Sequence, residues 1–132
     1  MSRRMWLMVL LTVCLALPAC QSGRSEPRKY AVSGTVTLDD KPLADGLIYF
    51  KTIATGAIEC LDIKAGKFKG QAEPGDRRVE ISSLITKTET FDGMKSETKQ
   101  NLIPTQYNMD STLTAKVATT GSNEFKFELK SK

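Results

Sequence analysis

Hydrophobic and polar positions divide this 132-residue chain into three stretches. Residues 5–17 are almost all apolar, and residues 21–28 are polar with no apolar periodicity. From residue 30 onwards, apolar and polar residues alternate in short runs, which is the two-residue period of half-buried strands. The pattern predicts an apolar leader, a flexible tether and a β-domain over residues 29–132.

The alternating part predicts seven short strands. The first covers residues 30–38, where one face is made of Tyr30, Val32, Gly34, Val36 and Leu38. The others are expected at residues 47–51, 57–63, 67–70, 77–84, 113–117 and 125–129. The last two are expected to form a hairpin. Short strands with a turn signal about every ten residues predict an all-β fold, a seven-stranded antiparallel β-sandwich with Greek-key connections.

Residues 87–110 do not fit the alternating pattern. A structureless loop of that length is uncommon in a compact domain. We therefore expect this segment either to be functional or to contain a short extra element around residues 92–102.

The leader has the zones of a secretory signal. Arg3 and Arg4 precede the apolar run, and small residues follow it. The run of about thirteen residues is shorter than the roughly twenty that a membrane-spanning helix needs. Residues 1–19 are therefore expected to be a signal peptide.

The end of the leader, Leu17, Pro18, Ala19 and Cys20, resembles the bacterial lipobox. The resemblance implies that the Cys20 thiol receives a diacylglycerol, that residues 1–19 are removed, and that residues 20–28 form a lipidated cysteine and flexible tether. Two or three acyl chains give stable attachment, since each buried methylene contributes about 0.8 kcal/mol. The expected location is an exported, membrane-anchored lipoprotein facing the periplasm or the cell surface. The alternative is a chance thiol after an ordinary signal peptide.

Composition indicates a folded domain that does not bind nucleic acid. Hydrophobic residues make up 40% of the chain and charged residues 26%. The 19 basic residues include Arg3 and Arg4 of the leader, so 17 basic and 15 acidic residues remain, a net charge of +2. These charges alternate along the strands instead of forming a basic stripe, which is typical of a solvated face.

Few residues offer catalytic or metal chemistry. The chain has no histidine, which excludes histidine-based triads and histidine metal sites, and no cofactor is expected. Cys60 is the one cysteine outside the leader and lipobox, so we expect a buried, inert thiol. Three aspartates near the first turn lack the fixed spacing of a calcium loop and are interpreted as turn residues: Asp39, Asp40 and Asp45.

Tyr107 and Asn108 are candidates for an interaction surface beside Pro104. The alternative places the Tyr107 ring on the end of the sandwich, with its hydroxyl bonded to backbone.

Several runs resemble carboxypeptidase regulatory-like domains, which have a transthyretin-like (prealbumin-like) sandwich, and in particular the single-domain lipoproteins of planctomycetes. The resemblance covers most of residues 30–130. The runs are 32–46 (VSGTVTLDDKPLADG), 66–68 (GKF), 73–75 (EPG), 78–81 (RVEI), 103–108 (IPTQYN), 111–114 (STLT) and 123–127 (NEFKF).

The resemblance implies a non-catalytic accessory module. The anchor, the tether and a sandwich with no catalytic set favour a structural or interaction module of the cell envelope that contacts a protein or a polysaccharide. Two alternatives stay open. One is a carbohydrate or small-ligand carrier with an exposed aromatic platform. The other is a hydrolase or transferase that uses two carboxylates facing one cleft, with Glu59, Asp62, Glu80 and Asp92 as the candidates.

Overall fold

The computed structural model describes residues 26–132, and these residues contain ten strands and no α-helix. The predicted leader, lipobox and Cys20 lie outside the described residues. A 3₁₀ turn, Thr105–Tyr107, is the one short helical element in the described part. The strands are β1 Tyr30–Leu38, β2 Lys41–Pro42, β3 Asp45–Lys51, β4 Ile58–Lys64, β5 Lys67–Ala72, β6 Gly75–Ser82, β7 Leu84–Phe91, β8 Met94–Asn101, β9 Thr114–Val117 and β10 Asn123–Leu129.

Eight of the strands form one strongly curled sheet, and β7 and β8 form a separate two-stranded sheet. The order along the curled sheet is β10-β1-β5-β4-β3-β6-β9, with β2 paired to β1. The all-β prediction is confirmed. The structure differs from the expected fold in having ten strands instead of seven, and in the parallel pairing of β1 with β10.

The predicted hairpin between the last two strands is wrong. β9 pairs with β6 and β10 pairs with β1, so the two strands are opposite edges of the curled sheet. The edges meet at one end, because the Asn123 side chain accepts the Ala118 N–H at 2.7 Å and donates to the Ala31 carbonyl at 3.1 Å. Closeness in sequence suggested a hairpin, whereas the five residues between these strands cross from one edge to the other.

Three two-residue turns join antiparallel neighbours in the chain. In each turn both residues have positive φ: 51° and 65° at Asp39 and Asp40, 48° and 73° at Ala65 and Gly66, and 49° and 77° at Asp92 and Gly93. Such turns match the right-handed twist of a hairpin and tolerate Asp, Asn or Gly best. Asp39 and Asp40 are thus turn residues, as the sequence predicted, whereas Asp45, which was also interpreted as a turn residue, is the first residue of β3.

The concave face of the curled sheet holds the core. Alternate residues of β1 are buried as predicted, and the other strands of the curled sheet, apart from the two-residue β2, contribute in the same way. Four phenylalanine rings pack with centroids 6.0 to 6.4 Å apart: Phe50, Phe68, Phe125 and Phe127. The fully buried aliphatic residues include Val32, Val36, Ile48, Ile63, Val79, Ile81 and Leu129.

The two ends of the sheet carry different features. Residues 26–29 enter β1 at the end we call the tether end, and they are exposed without regular structure. β6 runs in the same direction as β1, since antiparallel pairings link β1 to β6 through β5, β4 and β3. β6 therefore finishes at the opposite end, where β7 begins. Among the described residues, no helix has the length and apolar character to cross a membrane.

Candidate functional site

The hairpin formed by β7 and β8 is the candidate site. Its strands pair from Leu84 with Asn101 to Phe91 with Met94, around the turn of Asp92 and Gly93. Threonines alternate with charged residues along β7, and Ser96 and Thr98 alternate with charged residues along β8, which favours extended backbone without a buried face. This hairpin is the extra element expected between residues 87 and 110, although it begins earlier and is longer than the expected one.

The base of the hairpin is fixed to the curled sheet. Ser83, 5% exposed, donates its hydroxyl to the Asp45 carbonyl at 2.6 Å. The Asn101 Oδ1 accepts the N–H of Ser83 at 2.9 Å and the N–H of Ile103 at 3.1 Å. These bonds hold both ends of the hairpin at one point, so its direction is set by the sheet.

Beyond this base, the hairpin projects into solvent. β7 and β8 contact each other extensively and the other described strands very little. At the tip, Phe91 is 83% exposed and Met94 is 72% exposed. An exposed aromatic and a methionine, paired across strands at the tip of a hairpin whose middle is polar, are typical of a contact surface.

Both long edges of the hairpin are open. In the part of the chain that the structure describes, β7 pairs with β8 alone and β8 with β7 alone. Each outer edge therefore presents a row of unpaired N–H and C=O groups, which can pair with an added strand.

Tyr107 and Asn108 both hold the loop after the hairpin. The Tyr107 ring packs against the core and its hydroxyl accepts the Lys130 N–H at 3.2 Å, which is the alternative arrangement that the sequence left open. The Asn108 amide donates to the carbonyls of Ile103 and Pro104, each at 3.1 Å. A contact role for these two residues stays a prediction.

Asn108 also lines a shallow depression of about 350 Å³ on the outer face of the sheet. Tyr49 and Ile58 form part of its wall, and the neighbouring Met109 is 79% exposed. The Glu80 carboxylate in this wall lies 2.7 Å from the Lys51 ammonium and 3.4 Å from the Arg78 guanidinium. The depression thus combines the Tyr49 ring with the Glu80 carboxylate, whose charge is balanced by Lys51 and Arg78.

The four candidate acids lie in different surroundings. Glu59 faces the core, whereas Asp62 is exposed on the opposite face of β4. Glu80 is ion-paired on β6, and Asp92 is in the hairpin turn. Asp62 shares a depression with Asp45, where the Lys64 ammonium bonds to the Asp45 carboxylate, and this bond raises the pKa of Lys64.

The expectation that the Cys60 thiol is buried is wrong. The thiol is exposed, because Glu59 and Ile63 take the inward positions of β4 and the alternation turns Cys60 outward. Among residues 26–132, no group of three or more potential metal ligands is found.

The sequence did not predict a group of buried polar residues at the tether end. The Thr52 hydroxyl donates to the Glu73 carboxylate at 3.0 Å, and the Arg77 guanidinium lies 3.9 Å from the same carboxylate. Glu59 is 7% exposed and lies 3.7 Å from the Lys29 ammonium, with Oε2 unbonded among the described atoms. Each of these residues is at an inward position of its strand or next to the end of a strand. Such positions can be recognised in the sequence only when the strand bounds are known.

Comparison with family models, with curated proteins and with solved structures found no match for this chain.

Proposed function

We propose that this chain is a cell-envelope lipoprotein, anchored through lipid on Cys20, whose β-domain is a non-catalytic structural or interaction module. The proposal is supported by the leader over residues 1–19 and by the lipobox resemblance. Attachment through two or three acyl chains keeps a small domain at a membrane surface without a spanning helix.

We further propose that the curled sheet is the transthyretin-like sandwich of carboxypeptidase regulatory-like domains. Its support is the sequence resemblance over residues 30–130, together with the all-β fold and a core enclosed by one strongly curled sheet. Such modules act through their surface, and here the exposed element is the hairpin.

One observation carries the functional assignment. The tether enters at one end of the sheet, and the hairpin leaves from the other with Phe91 and Met94 exposed at its tip. A lipid at Cys20 therefore holds the domain by the end opposite to its contact element. The partner in this proposal is a protein or a polysaccharide of the envelope.

The anchor is tested by intact mass measurement of the full chain made in a bacterial host. We expect the product to lack residues 1–19, to carry acyl chains at Cys20 and to fractionate with membranes. Cys20→Ser is expected to abolish acylation and membrane fractionation, whereas Cys60→Ser retains both. An unmodified thiol at Cys20 of the wild-type product contradicts the proposal.

The contact role of the hairpin is tested by crosslinking in intact cells followed by mass spectrometry. We expect crosslinks to gather on residues 84–101, and to fall when Phe91 and Met94 are both replaced by serine. The matched control replaces Ile53 by serine, because this residue is also exposed but lies at the tether end, outside the depression beside Asn108. Equal loss in both variants contradicts a role specific to the hairpin.

The depression beside Asn108 favours a second candidate function, binding of a carbohydrate or another small ligand. Tyr49 supplies an aromatic ring in its wall, and sugar rings pack well on such faces. Calorimetry of the full chain with envelope polysaccharide fragments tests this candidate, with Tyr49→Ala as the variant that should remove the heat of binding.

A further inference from the structure

The outer edge of β7 has a defined set of free backbone groups. In a hairpin with a two-residue turn, the pair beside the turn exchanges hydrogen bonds, and here that pair is Phe91 and Met94. Alternate residues of β7 therefore bond to β8. Those between them turn their N–H and C=O groups outward: Leu84, Thr86, Thr88 and Thr90.

This edge is complementary to itself when two copies run antiparallel. If Thr88 lies opposite Thr88 of the second copy, Thr86 lies opposite Thr90 on either side of the two-fold axis. The outward groups then meet as hydrogen-bonded pairs, giving about six backbone hydrogen bonds. A strand of this kind forms an isologous contact, in which each residue pair occurs twice.

The side chains of the same register match in charge and in hydrophobic character. Lys87 lies opposite Glu89 of the second copy, and Ile85 lies opposite Phe91 of the second copy. Opposite charges and apolar pairs facing across antiparallel strands both stabilise a sheet. Ile85 of the second copy then covers Phe91, which is 83% exposed, next to Met94 on the same face.

Other ways of pairing the hairpins of two copies give less favourable pairs of facing side chains. In-register parallel pairing of β7 places Lys87 beside Lys87 of the second copy. Antiparallel pairing of two β8 edges can set Lys95 opposite Glu97, but Met94 then faces Thr98. The antiparallel β7 edge is the arrangement that satisfies both the charges and the exposed phenylalanine.

We infer that the hairpin's partner is a second copy of this chain, joined through antiparallel pairing of the two β7 edges centred on Thr88. The inference rests on the proposed function in one respect, because it names the partner of the hairpin. It does not depend on lipid at Cys20, since the pairing surface lies wholly within residues 84–91.

Site-specific disulfides test the register in the full chain carrying Cys60→Ser. Thr88→Cys places two thiols in facing positions with Cα atoms about 5.5 Å apart, within the range that a disulfide spans. Thr86→Cys is the matched control: it lies on the same strand and face, but its copies are about 13 Å apart along the strand. We expect at least about fivefold more oxidised dimer for Thr88→Cys than for Thr86→Cys. Mixing Thr86→Cys with Thr90→Cys should restore crosslinking.

A charge exchange tests the same register without cysteine. Lys87→Glu sets Glu against Glu89, and Glu89→Lys sets Lys against Lys87, so each variant alone is expected to dimerise less. A mixture of the two variants restores opposite charges in both facing pairs, so the mixed dimer should exceed either single-variant dimer. Two affinity tags on the full chain, purified in detergent, measure the mixed species.

The outcomes separate this inference from the proposed function. Monomer alone for Thr88→Cys, or equal dimer for Thr88→Cys and Thr86→Cys, overturns the β7 pairing. A disulfide from Thr88→Cys to a different protein also overturns it, while supporting a contact role for the hairpin. An unacylated Cys20 with intact Thr88 crosslinking overturns the membrane anchor and leaves the pairing in place.

Discussion

Gly34 is the position where β1 comes too close to β10 for a side chain. A Cβ there would overlap the Phe125 carbonyl oxygen and lie 2.8 Å from Cζ of Phe68. We expect Gly34→Ala to lower the free energy of unfolding by about 3 kcal/mol or to prevent folding, because backbone of a paired strand cannot move aside. Urea unfolding followed by circular dichroism measures the change.

Gly70 provides the matched control. It is also a strand glycine with ordinary φ, but a Cβ there would meet the side chain of Leu61, which is half-buried. A side chain can change rotamer, so Gly70→Ala should cost about 1 kcal/mol. Equal costs for the two variants would show that close approach of the backbone is not what requires Gly34.

Asp39 links the first turn to the C-terminus. Its carboxylate accepts the Ser131 N–H at 2.9 Å, and hydrogen bonds from Ser131 hold the pKa of Asp39 below the ordinary 3.8. A lowered carboxyl pKa gives a contribution that is present above pH 3.8 and is lost as the pH falls through the lowered value. We expect the Ser131 amide resonance to shift in NMR spectra below pH 3.8, and Asp39→Asn to remove that shift.

Single residues could be predicted where their chemistry is local. The Asp39 turn and the backbone bond of the Tyr107 hydroxyl follow from the preferences of these side chains near turns and strand ends. Cys60 could not be predicted in this way, since burial depends on which face of β4 turns inward. That choice was decided by Ile63 in the core and by Glu59, an acid that a sequence pattern assigns to the outside.

At the scale of elements, the hairpin should be separable from the sheet. We expect that deleting residues 87–90 and 95–98 together leaves the free energy of unfolding of the domain within about 0.5 kcal/mol of wild type. The reason is that β7 and β8 make few contacts with other strands, while the base at Ser83 and Asn101 is retained. Thermal and urea unfolding of the full chain measure this.

The control for the shortened hairpin is Asn101→Ala in the full-length hairpin. It leaves the N–H groups of Ser83 and Ile103 without their acceptor, at a cost of about 1–3 kcal/mol. A larger loss from the shortened hairpin than from Asn101→Ala would mean that the hairpin supports the domain.

Strands with one buried face could be predicted from the sequence, and the hairpin could not. The expected strands at residues 30–38 and 125–129 fall within or match β1 and β10, because core packing imposes a period of two. β7 and β8 have no buried face, so no hydrophobic period marks them. Their remaining signal is the Asp92 and Gly93 turn between two runs in which hydroxyl and charged residues alternate. The sequence pattern also does not indicate which strands pair with each other, as the parallel pairing of β1 with β10 shows.

At the scale of the whole molecule, the proposed antiparallel β7 pairing and the proposed lipid anchor together constrain how two copies would meet one bilayer. The two Tyr30 ends then point away from each other, so each tether must bend back to the same surface. Residues 20–29 reach at most about 35 Å when extended. We expect deletion of residues 22–27 to reduce Thr88→Cys crosslinking in membranes and to leave it unchanged in detergent. If the chain without residues 22–27 crosslinks equally well in membranes and in detergent, the two Tyr30 ends do not point away from each other.

The tether end and the hairpin sit at opposite poles, which affects how often copies encounter each other. With the proposed lipid anchor at Cys20, copies held on a bilayer at the tether end would diffuse in two dimensions, and their local concentration would exceed that of freely diffusing chains. A surface of this kind therefore raises the fraction of copies joined through the β7 edge above the fraction joined in detergent at the same total amount. Surface density would in this way regulate assembly, without any change in the protein itself.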